Sequence, residues 1–309
     1  MNDIEKSMRL ANGWYVVADS REVKAGKSLG LKRFGKALVL WRTKNGSVII
    51  MDDRCPHRFA GLSGGDIVND KIVCPYHGFE FDCSGSCTNV PETGKSATNL
   101  KVTTYNTREV HGFIWIWIGE SPQSEIPWFS DINDSFTFCQ FEETWNCHFT
   151  RCVENQLDYA HLPIVHKTTI GRFVSSPKNL NVEFELSEER IKFSPSSRAF
   201  IEFLFPNIWR NFISPGFQLV LAFVPISDDQ TKLYLRSYYR FPKIPIVSTI
   251  IAGTLNYTNK KILSQDRAVV LSQIPNSSMD PRVDNEAPYP SDRAVKFYRE
   301  VLQKITPGY

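Results

Sequence analysis

The first third of the chain shows short apolar runs separated by turns, a pattern typical of strands rather than helices. Such runs occupy 14–18, 37–41 and 47–51, and Asn45-Gly46 between the last two predicts a hairpin because both residues tolerate positive φ. Residues 113–118 alternate Phe, Ile and Trp without a polar face, which predicts a strand buried on both sides. The pattern therefore predicts a small antiparallel β domain over residues 1–120.

After residue 120 the pattern predicts helices around a second set of strands. A turn-rich stretch at 121–127 marks the domain boundary, so that a second domain covers 121–309. Helical spacing of apolar and functional residues from Cys152 to His161 predicts a helix that Pro163 ends. Strands are predicted at 182–186, 190–194, 200–205, 218–224 and 232–239, and helices at 255–273 and at 291–304, the latter capped by Ser291 or Asp292. The predicted class is α+β.

Composition adds limits on compartment and partners. With 309 residues, 42% hydrophobic and 22% charged, and a formal net charge of +3, the chain is an ordinary globular one with room for two domains. Lys and Arg are dispersed, which argues against a nucleic-acid partner and a polybasic membrane patch. The first residues lack an apolar leader, so we expect a cytoplasmic protein, and the apolar run at 244–255 is too short for a membrane span of ~20 residues.

Two short Cys/His pairs carry the clearest chemical signal. Cys55-x-His57 and Cys74-x-x-His77 place two thiolates and two imidazoles on two loops, the ligand set of a [2Fe–2S] centre in which two His replace two Cys on one iron. Neutral imidazoles raise the cluster potential and favour electron relay. A structural zinc ion uses the same residue types, but zinc pairs usually join Cys with Cys and His with His. The other five cysteines, Cys83, Cys87, Cys139, Cys147 and Cys152, are interpreted as structural.

A second group of metal-ligating residues lies in the predicted helix of the second domain. Asn155, Asp158 and His161 recur every three residues, within a limited arc of a helix, and the bend expected at Pro163 lets His166 return towards His161. Two imidazoles can then bind one ion. For His161 taken alone, a packed core histidine is an equally good interpretation.

Two His ligands call for a carboxylate, because a 2-His-1-carboxylate triad leaves open positions on Fe(II). Asp266 is the candidate, since it interrupts the apolar stripe of the helix predicted at 255–273, and an unpaired buried carboxylate is costly. The alternative is an ordinary salt bridge to Lys260, Lys261 or Arg267.

Taken together, these motifs resemble the oxygenase (alpha) component of Rieske non-haem iron oxygenases over nearly the whole chain. The residues that carry the resemblance are Cys55-Pro56-His57-Arg58, Cys74-Pro75-Tyr76-His77-Gly78, the Asn155/Asp158/His161/His166 set and Gln265-Asp266-Arg267. The resemblance is to the branch of vanillate and dicamba demethylases and cyanobacterial toxin hydroxylases. Two departures are Phe59, where the family often has Gly, and Phe79, where it usually has Trp.

The resemblance implies an N-terminal antiparallel β Rieske domain and a helix-grip-like catalytic domain. It also implies a [2Fe–2S] cluster held by Cys55, His57, Cys74 and His77, and a mononuclear Fe(II) held by His161, His166 and Asp266. Electrons would come from NAD(P)H through a separate reductase or ferredoxin, with O₂ as co-substrate. Asp158 would join the iron site to a cluster His of the neighbouring subunit in a homotrimer, and Asn155 would support the site. The expected reaction is hydroxylation or oxidative demethylation of a small organic substrate.

Several alternatives stay open from the sequence. They are a dioxygenase that forms cis-diols, a Rieske electron carrier without the second iron, and a small-molecule-binding module of the helix-grip kind. The substrate is not identified by the aromatic residues of the second domain, which suit an apolar pocket but suit a β core better. These residues are Phe200, Phe203, Phe205, Trp209, Phe212 and Phe217.

Overall fold

The computed structural model describes residues 10–123, 125–174, 182–194, 199–240 and 245–306 of the chain. The chain divides into two compact units, Met1–Gln123 and Ser124–Tyr309, which we call the N-terminal and C-terminal units. Antiparallel sheets form both units, and the α-helices of the described residues all lie in the C-terminal unit. The predicted α+β class is confirmed. In the described part of the chain, no helix has both the length and the apolar character to cross a membrane.

The N-terminal unit consists of three small antiparallel sheets, with strand orders β1-β11-β10, β2-β3-β4 and β5-β6-β7-β8-β9. The strands are β1 (Gly13–Asp19), β2 (Ser28–Arg33), β3 (Lys36–Arg42), β4 (Val48–Asp52), β5 (Ile67–Val68), β6 (Lys71–Val73), β7 (Glu80–Phe81), β8 (Ser86–Val90), β9 (Lys95–Lys101), β10 (Thr107–Val110) and β11 (Phe113–Ile118).

Two predictions for this unit are confirmed in detail. The hairpin at Asn45-Gly46 joins β3 to β4, with Arg42 opposite Val48 and Gly46 at φ +91°, a backbone conformation that favours glycine. All six residues of β11 are buried, and the strand lies between β1 and β10. Its continuous apolar sequence follows from this central position, because both of its faces pack against protein.

A seven-stranded antiparallel sheet of order β12-β18-β17-β16-β15-β14-β13 is the core of the C-terminal unit. Its strands are β12 (Thr137–Trp145), β13 (Glu183–Ser187), β14 (Arg190–Ser194), β15 (Phe200–Leu204), β16 (Ile208–Ser214), β17 (Phe217–Ser227) and β18 (Gln230–Tyr239). Sequence reasoning missed β12 and β16. In β16 the apolar pattern is broken by Arg210, which is buried because its guanidinium donates to Glu202 and Gln218.

The first helix of this unit corrects the sequence prediction. Helix α1 (Phe149–Leu157) ends well before Pro163, and Pro163 lies in the first turn of a second short helix, α2 (Leu162–Val165). The chain turns because the Asp158 carboxylate accepts a 2.7 Å hydrogen bond from the amide of Ala160. The prediction that Asn155, Asp158 and His161 share one helical arc is therefore wrong.

Two long helices complete the unit. Helix α3 (Pro245–Val270) begins at Pro245 rather than at 255, which is physically reasonable because proline is tolerated in the first helical turn. Helix α4 (Arg293–Ile305) has Asp292 at its N-cap position, as predicted, although the Asp292 side chain makes no cap hydrogen bond. The seven cysteines are free thiols, and among the five without a ligand pattern only Cys83 is exposed.

Candidate functional sites

The two Cys/His loops of the N-terminal unit share one backbone design. Cys55 accepts from the amide of Phe59 and donates to the carbonyl of Ala60, both at 2.8 Å. Cys74 likewise accepts from the residue four positions on, Gly78 at 3.0 Å, and donates to Phe79 at 2.8 Å. The fourth residue after each Cys has positive φ, +59° at Phe59 and +72° at Gly78. The loops are thus matched turns that present paired ligands.

Phe59 has a left-handed backbone conformation that favours glycine, which explains why the family often has Gly at this position. Its ring is exposed, and the guanidinium of Arg54 lies over it at 3.8 Å from the ring centroid. The cation–π contact offsets part of the cost of the left-handed conformation. Phe79, the second departure, stacks on the His57 ring at 4.6 Å between centroids. Both departures leave the four candidate ligands in place.

The four residues suit an iron–sulfur cluster. Cys55 and Cys74 are buried, and the rings of His57 and His77 lie 4.7 Å apart between centroids. Burial raises the pKa of the Cys55 thiol to about 11, against a smaller opposing effect of the His57 amide, so a metal centre is the natural way to hold a thiolate here. The Nδ1 atom of His57 is buried and lacks a hydrogen-bond partner among the described residues, which leaves it free to ligate.

A second set of ligands converges in the C-terminal unit. His161 precedes α2 and His166 follows it, while Asp266 projects from α3. The His166 and His161 Nε2 atoms lie 3.0 and 3.4 Å from Oδ1 of Asp266, and the three ligand atoms lie within 4.8 Å of one another. Asp266 and His166 are buried, and Asn155 donates to Asp266 Oδ1 at 3.4 Å. The structure therefore brings together two imidazoles and one carboxylate.

The salt-bridge alternative for Asp266 does not match these contacts. Arg267, the adjacent basic residue, pairs instead with Glu143 at 2.6 Å. Burial raises the pKa of Asp266, but hydrogen bonds from His161 and His166 outweigh this effect and hold the pKa below its ordinary value. Burial lowers the pKa of His161, yet the carboxylates of Asp158 and Asp266 raise it to about 9. A buried carboxylate compensated by two imidazoles is a site in which a divalent cation can replace protons.

The Nδ1 atoms of His161 and His166, on the ring side away from Asp266, face oxygen acceptors. His166 Nδ1 lies 3.0 Å from Oε1 of Gln265, and that oxygen also accepts from Thr169 at 2.8 Å. Because an amide oxygen only accepts, Nδ1 of His166 carries a proton, and Nε2 is the ring atom that faces Asp266 and would bind a metal ion in place of its proton. His161 Nδ1 lies 3.3 Å from Oδ2 of Asp158, although the angles fall short of a hydrogen bond.

Gln265 is the contact that sequence reasoning missed. The sequence identified it only as the neighbour of Asp266, and successive helix residues point about 100° apart, so a shared site was not expected. Its amide nitrogen donates to Thr168 at 3.0 Å, which fixes the orientation of the side chain. Gln265 thereby connects α3 to the loop after α2 and orients His166.

Two cavities meet at this site. One, the apolar cavity, has a volume of about 630 Å³ and lies between the sheet and α3; its lining includes Ile201, Trp209, Leu219, Leu221, Leu235 and Ile262. The other, the charged cavity, has about 430 Å³ and is lined by residues that include Arg151, Glu154, Glu286, Lys296, Arg299 and Glu300. His161 and Asp158 line both. Of the six aromatic residues considered from sequence, Trp209 and Phe217 line the apolar cavity, and Phe203 is wholly buried.

Comparison with known proteins agrees with this geometry. The family model for the Rieske [2Fe-2S] domain matches residues 13–106. Cholesterol 7-desaturase nvd of Drosophila melanogaster is 35% identical over 164 residues, which cover 50% of this chain and 38% of that protein. Chloroplastic chlorophyllide a oxygenase of Chlamydomonas reinhardtii is 32% identical over 172 residues, covering 55% of this chain and 26% of that protein. The chain thus matches well under half the length of these relatives.

Solved structures match over almost the whole chain. Dicamba monooxygenase bound to 3,6 dichlorosalicylic acid has a TM-score of 0.80 at 25% identity, covering 96% of this chain and 97% of that one. NdmA of Pseudomonas putida CBB5 also has a TM-score of 0.80 at 25% identity, covering 98% of this chain and 92% of that one. The chain therefore contains a Rieske [2Fe–2S] domain over residues 13–106, and along its length it is similar in structure to dicamba monooxygenase and NdmA.

Proposed function

We propose that the protein is an oxygenase component that hydroxylates or oxidatively demethylates a small organic substrate at a mononuclear Fe(II). The observation that carries this proposal is the convergence of His161, His166 and Asp266 at the wall of an apolar cavity. This donor set is that of the 2-His-1-carboxylate triad. Bound Fe(II) would supply oxygen activation at its open coordination positions, and the chain would supply the remainder of the chemistry.

The residues around the triad have separable tasks in this proposal. Gln265 holds the proton of His166 on Nδ1, and Asp158 faces Nδ1 of His161, so both imidazoles direct Nε2 to the metal. Asn155 donates to Asp266 and fixes that carboxylate. The apolar wall excludes water from the reacting substrate. In the N-terminal unit, Cys55, His57, Cys74 and His77 would hold the [2Fe–2S] cluster that stores one electron.

The electron supply forms the second part of the proposal. Electrons from NAD(P)H would reach the cluster through a separate reductase or ferredoxin. Asp158 would then connect the iron site to a cluster His of a neighbouring subunit in a homotrimer, a role suited to a side chain that is 31% exposed and lines the charged cavity. On this view residues 1–120 relay electrons and residues 121–309 perform catalysis. The cytoplasmic location stays a prediction from sequence.

The experiment is a substrate screen with ¹⁸O₂, NADH and a surrogate reductase, with products identified by mass spectrometry. We expect the native protein to form a product that carries ¹⁸O, or to release the demethylated product. Asp266→Ala is expected to accept electrons at the cluster but to form no product. Product formation by Asp266→Ala at the native rate would contradict the proposal. A native protein with a reducible cluster but no third iron would instead be an electron carrier.

A further inference from the structure

We propose that the apolar cavity takes an uncharged, largely apolar substrate with one hydrogen-bonding group, and that the side-chain amide of Asn211 orients this group. The inference rests on the proposed function and gives it a substrate class. Three properties of the cavity carry it: the composition of its walls, the distribution of charge around it and the position of Asn211.

The walls are built from side chains that the sheet register brings to one face. Trp209 of β16 lies opposite Leu221 of β17, which in turn lies opposite Leu235 of β18. Leu255, Ile262 and Leu263 of α3 contribute to the same lining. A cavity of about 630 Å³ with such walls falls in the size range of small-molecule sites, and its principal gain on binding is burial of apolar surface.

The apolar cavity differs from the charged cavity in the charged residues of its lining. Among the described residues of its lining, the charged groups are Asp158, Asp266 and their two histidines, and neither Lys nor Arg is present. The cations of this region, Arg151, Lys296 and Arg299, all line the charged cavity instead. In the holoprotein the two positive charges of Fe(II) would be balanced by the carboxylates of Asp158 and Asp266. An anionic substrate would therefore lose its hydration without a further cation of the described lining to replace it. The walls favour an uncharged molecule.

Asn211 is the polar exception in the sheet wall. It is partly buried on β16, with Ile201 opposite it on one side and Leu219 on the other. Its side chain has no hydrogen-bond partner within the described part of the chain, whereas other polar groups of the lining are engaged. Trp209 donates to the carbonyl of Gln156 at 3.0 Å, and Asn259 donates to Ser237 at 2.9 Å. An amide offers both a donor and an acceptor, so Asn211 can bind a carbonyl, amide or hydroxyl.

The test measures binding of a matched series to the holoprotein by calorimetry: naphthalene, 2-naphthol, naphthalene-2-carboxamide and naphthalene-2-carboxylate. We expect the carboxamide to bind about a hundredfold more tightly than the carboxylate, because the anion is desolvated without compensation. Equal or tighter binding of the carboxylate would overturn the proposal. Failure of every neutral member to bind would overturn it as well.

Asn211→Leu tests the orienting group. The substitution is expected to weaken carboxamide and naphthol binding by about fivefold to tenfold and to leave naphthalene binding unchanged, the signature of one lost neutral hydrogen bond. Phe212→Leu is the matched control, because Phe212 stacks on Phe200 at 4.6 Å and does not line the cavity. An equal loss for naphthalene would mean a packing role for Asn211 and would contradict the assignment.

The binding assay keeps this inference distinct from the proposed function, since it requires no turnover. Neutral ligands that bind as expected to a native protein with a reducible cluster but no third iron would refute oxygenation and leave the ligand class of the cavity intact. Product formation from a carboxylate whose neutral analogue binds weakly would support oxygenation and refute the proposed substrate class.

Discussion

The apolar cavity and the charged cavity share His161 and Asp158 but differ in almost every other wall residue. One is surrounded by aliphatic and aromatic side chains of the sheet and α3, and the other by acids and bases of α1, α4 and the segment between α3 and α4. The charges of the second are not isolated. Arg151 and Arg299 each contact both Glu154 and Glu286, at distances between 2.5 and 2.9 Å.

This contrast teaches how one imidazole can serve two environments. On one side of the ring, Nε2 of His161 faces Asp266, and on the other Nδ1 faces Asp158, 3.3 Å away. The side of His161 that faces the charged cavity suits the passage of an electron, because the acids and bases of that cavity compensate one another in ion pairs. The apolar side suits an uncharged substrate, because it excludes water. Substitutions on the two sides should therefore affect different measured quantities.

The largest expected effect is on the polar side. Asp158→Asn removes the negative charge beside His161 Nδ1, and we expect steady-state turnover with NADH and reductase to fall about a hundredfold while both metal centres stay bound. Iron content and the rate of cluster reduction are measured in parallel. Glu300→Gln, which changes another acid of the same cavity, is the control and should behave as native. Normal turnover of Asp158→Asn would disprove the electron-bridge role.

The ion-pair network of the charged cavity should contribute to stability without affecting substrate binding. Arg299→Met removes the guanidinium that pairs with Glu154 and Glu286, but Glu154 still pairs with Arg151. Because the buried carboxylate keeps one cation, we expect the free energy of unfolding to fall by only about 2 kcal/mol. Urea unfolding measures the change. Arg282→Met is the matched control, since Arg282 is 67% exposed and its one ion pair among the described residues is with the partly buried Asp280. An unfolding free energy equal to that of the control would show that the network is not stabilising.

Beside His166, Gln265 should set the metal affinity of the site. Gln265→Leu removes the acceptor for His166 Nδ1, and the dissociation constant for Co(II) or Fe(II) should rise about tenfold. Ser264→Ala, one residue earlier and exposed, provides the comparison. Unchanged affinity in Gln265→Leu would mean that the imidazole is oriented by packing alone.

The smallest effect is expected on the apolar side. Leu219→Trp enlarges a wall residue next to Asn211, and we expect the KM for any substrate found to rise about fivefold as usable volume is lost. Metal content and cluster reduction should not change. A lower KM would indicate that the native cavity is larger than its substrate needs.

The sequence predicted the fold class and the identity of the candidate ligands better than it predicted how these ligands are arranged. Strands such as β11 were predictable because continuous burial requires continuous apolar sequence. The strand β16 was not, because Arg210 is buried through partners contributed by β15 and β17, and such pairing depends on sheet order. Likewise, the end of α1 depends on a local hydrogen bond that the Asp158 carboxylate accepts from the amide of Ala160 and that competes with the helix.

The division into two cavities was beyond sequence reasoning for a related reason. The apolar wall combines residues from β15 to β18 with residues of α3, and their common face follows from register and strand order. The role of Gln265 also depends on the path of the loop after α2. By contrast, the burial of Asp266 could be predicted from its position in an apolar stripe, and the prediction that a buried carboxylate needs a compensating partner agrees with its contacts to His161 and His166.

Metal stoichiometry tests the central claim most directly, that His161, His166 and Asp266 hold an iron ion between the two cavities. Protein prepared without oxygen and supplied with Fe(II) should contain about three iron and two acid-labile sulfide per chain. Asp266→Ala should contain about two of each and keep the visible spectrum of the cluster. Native protein that retains only two iron, or Asp266→Ala that retains three, would contradict the account.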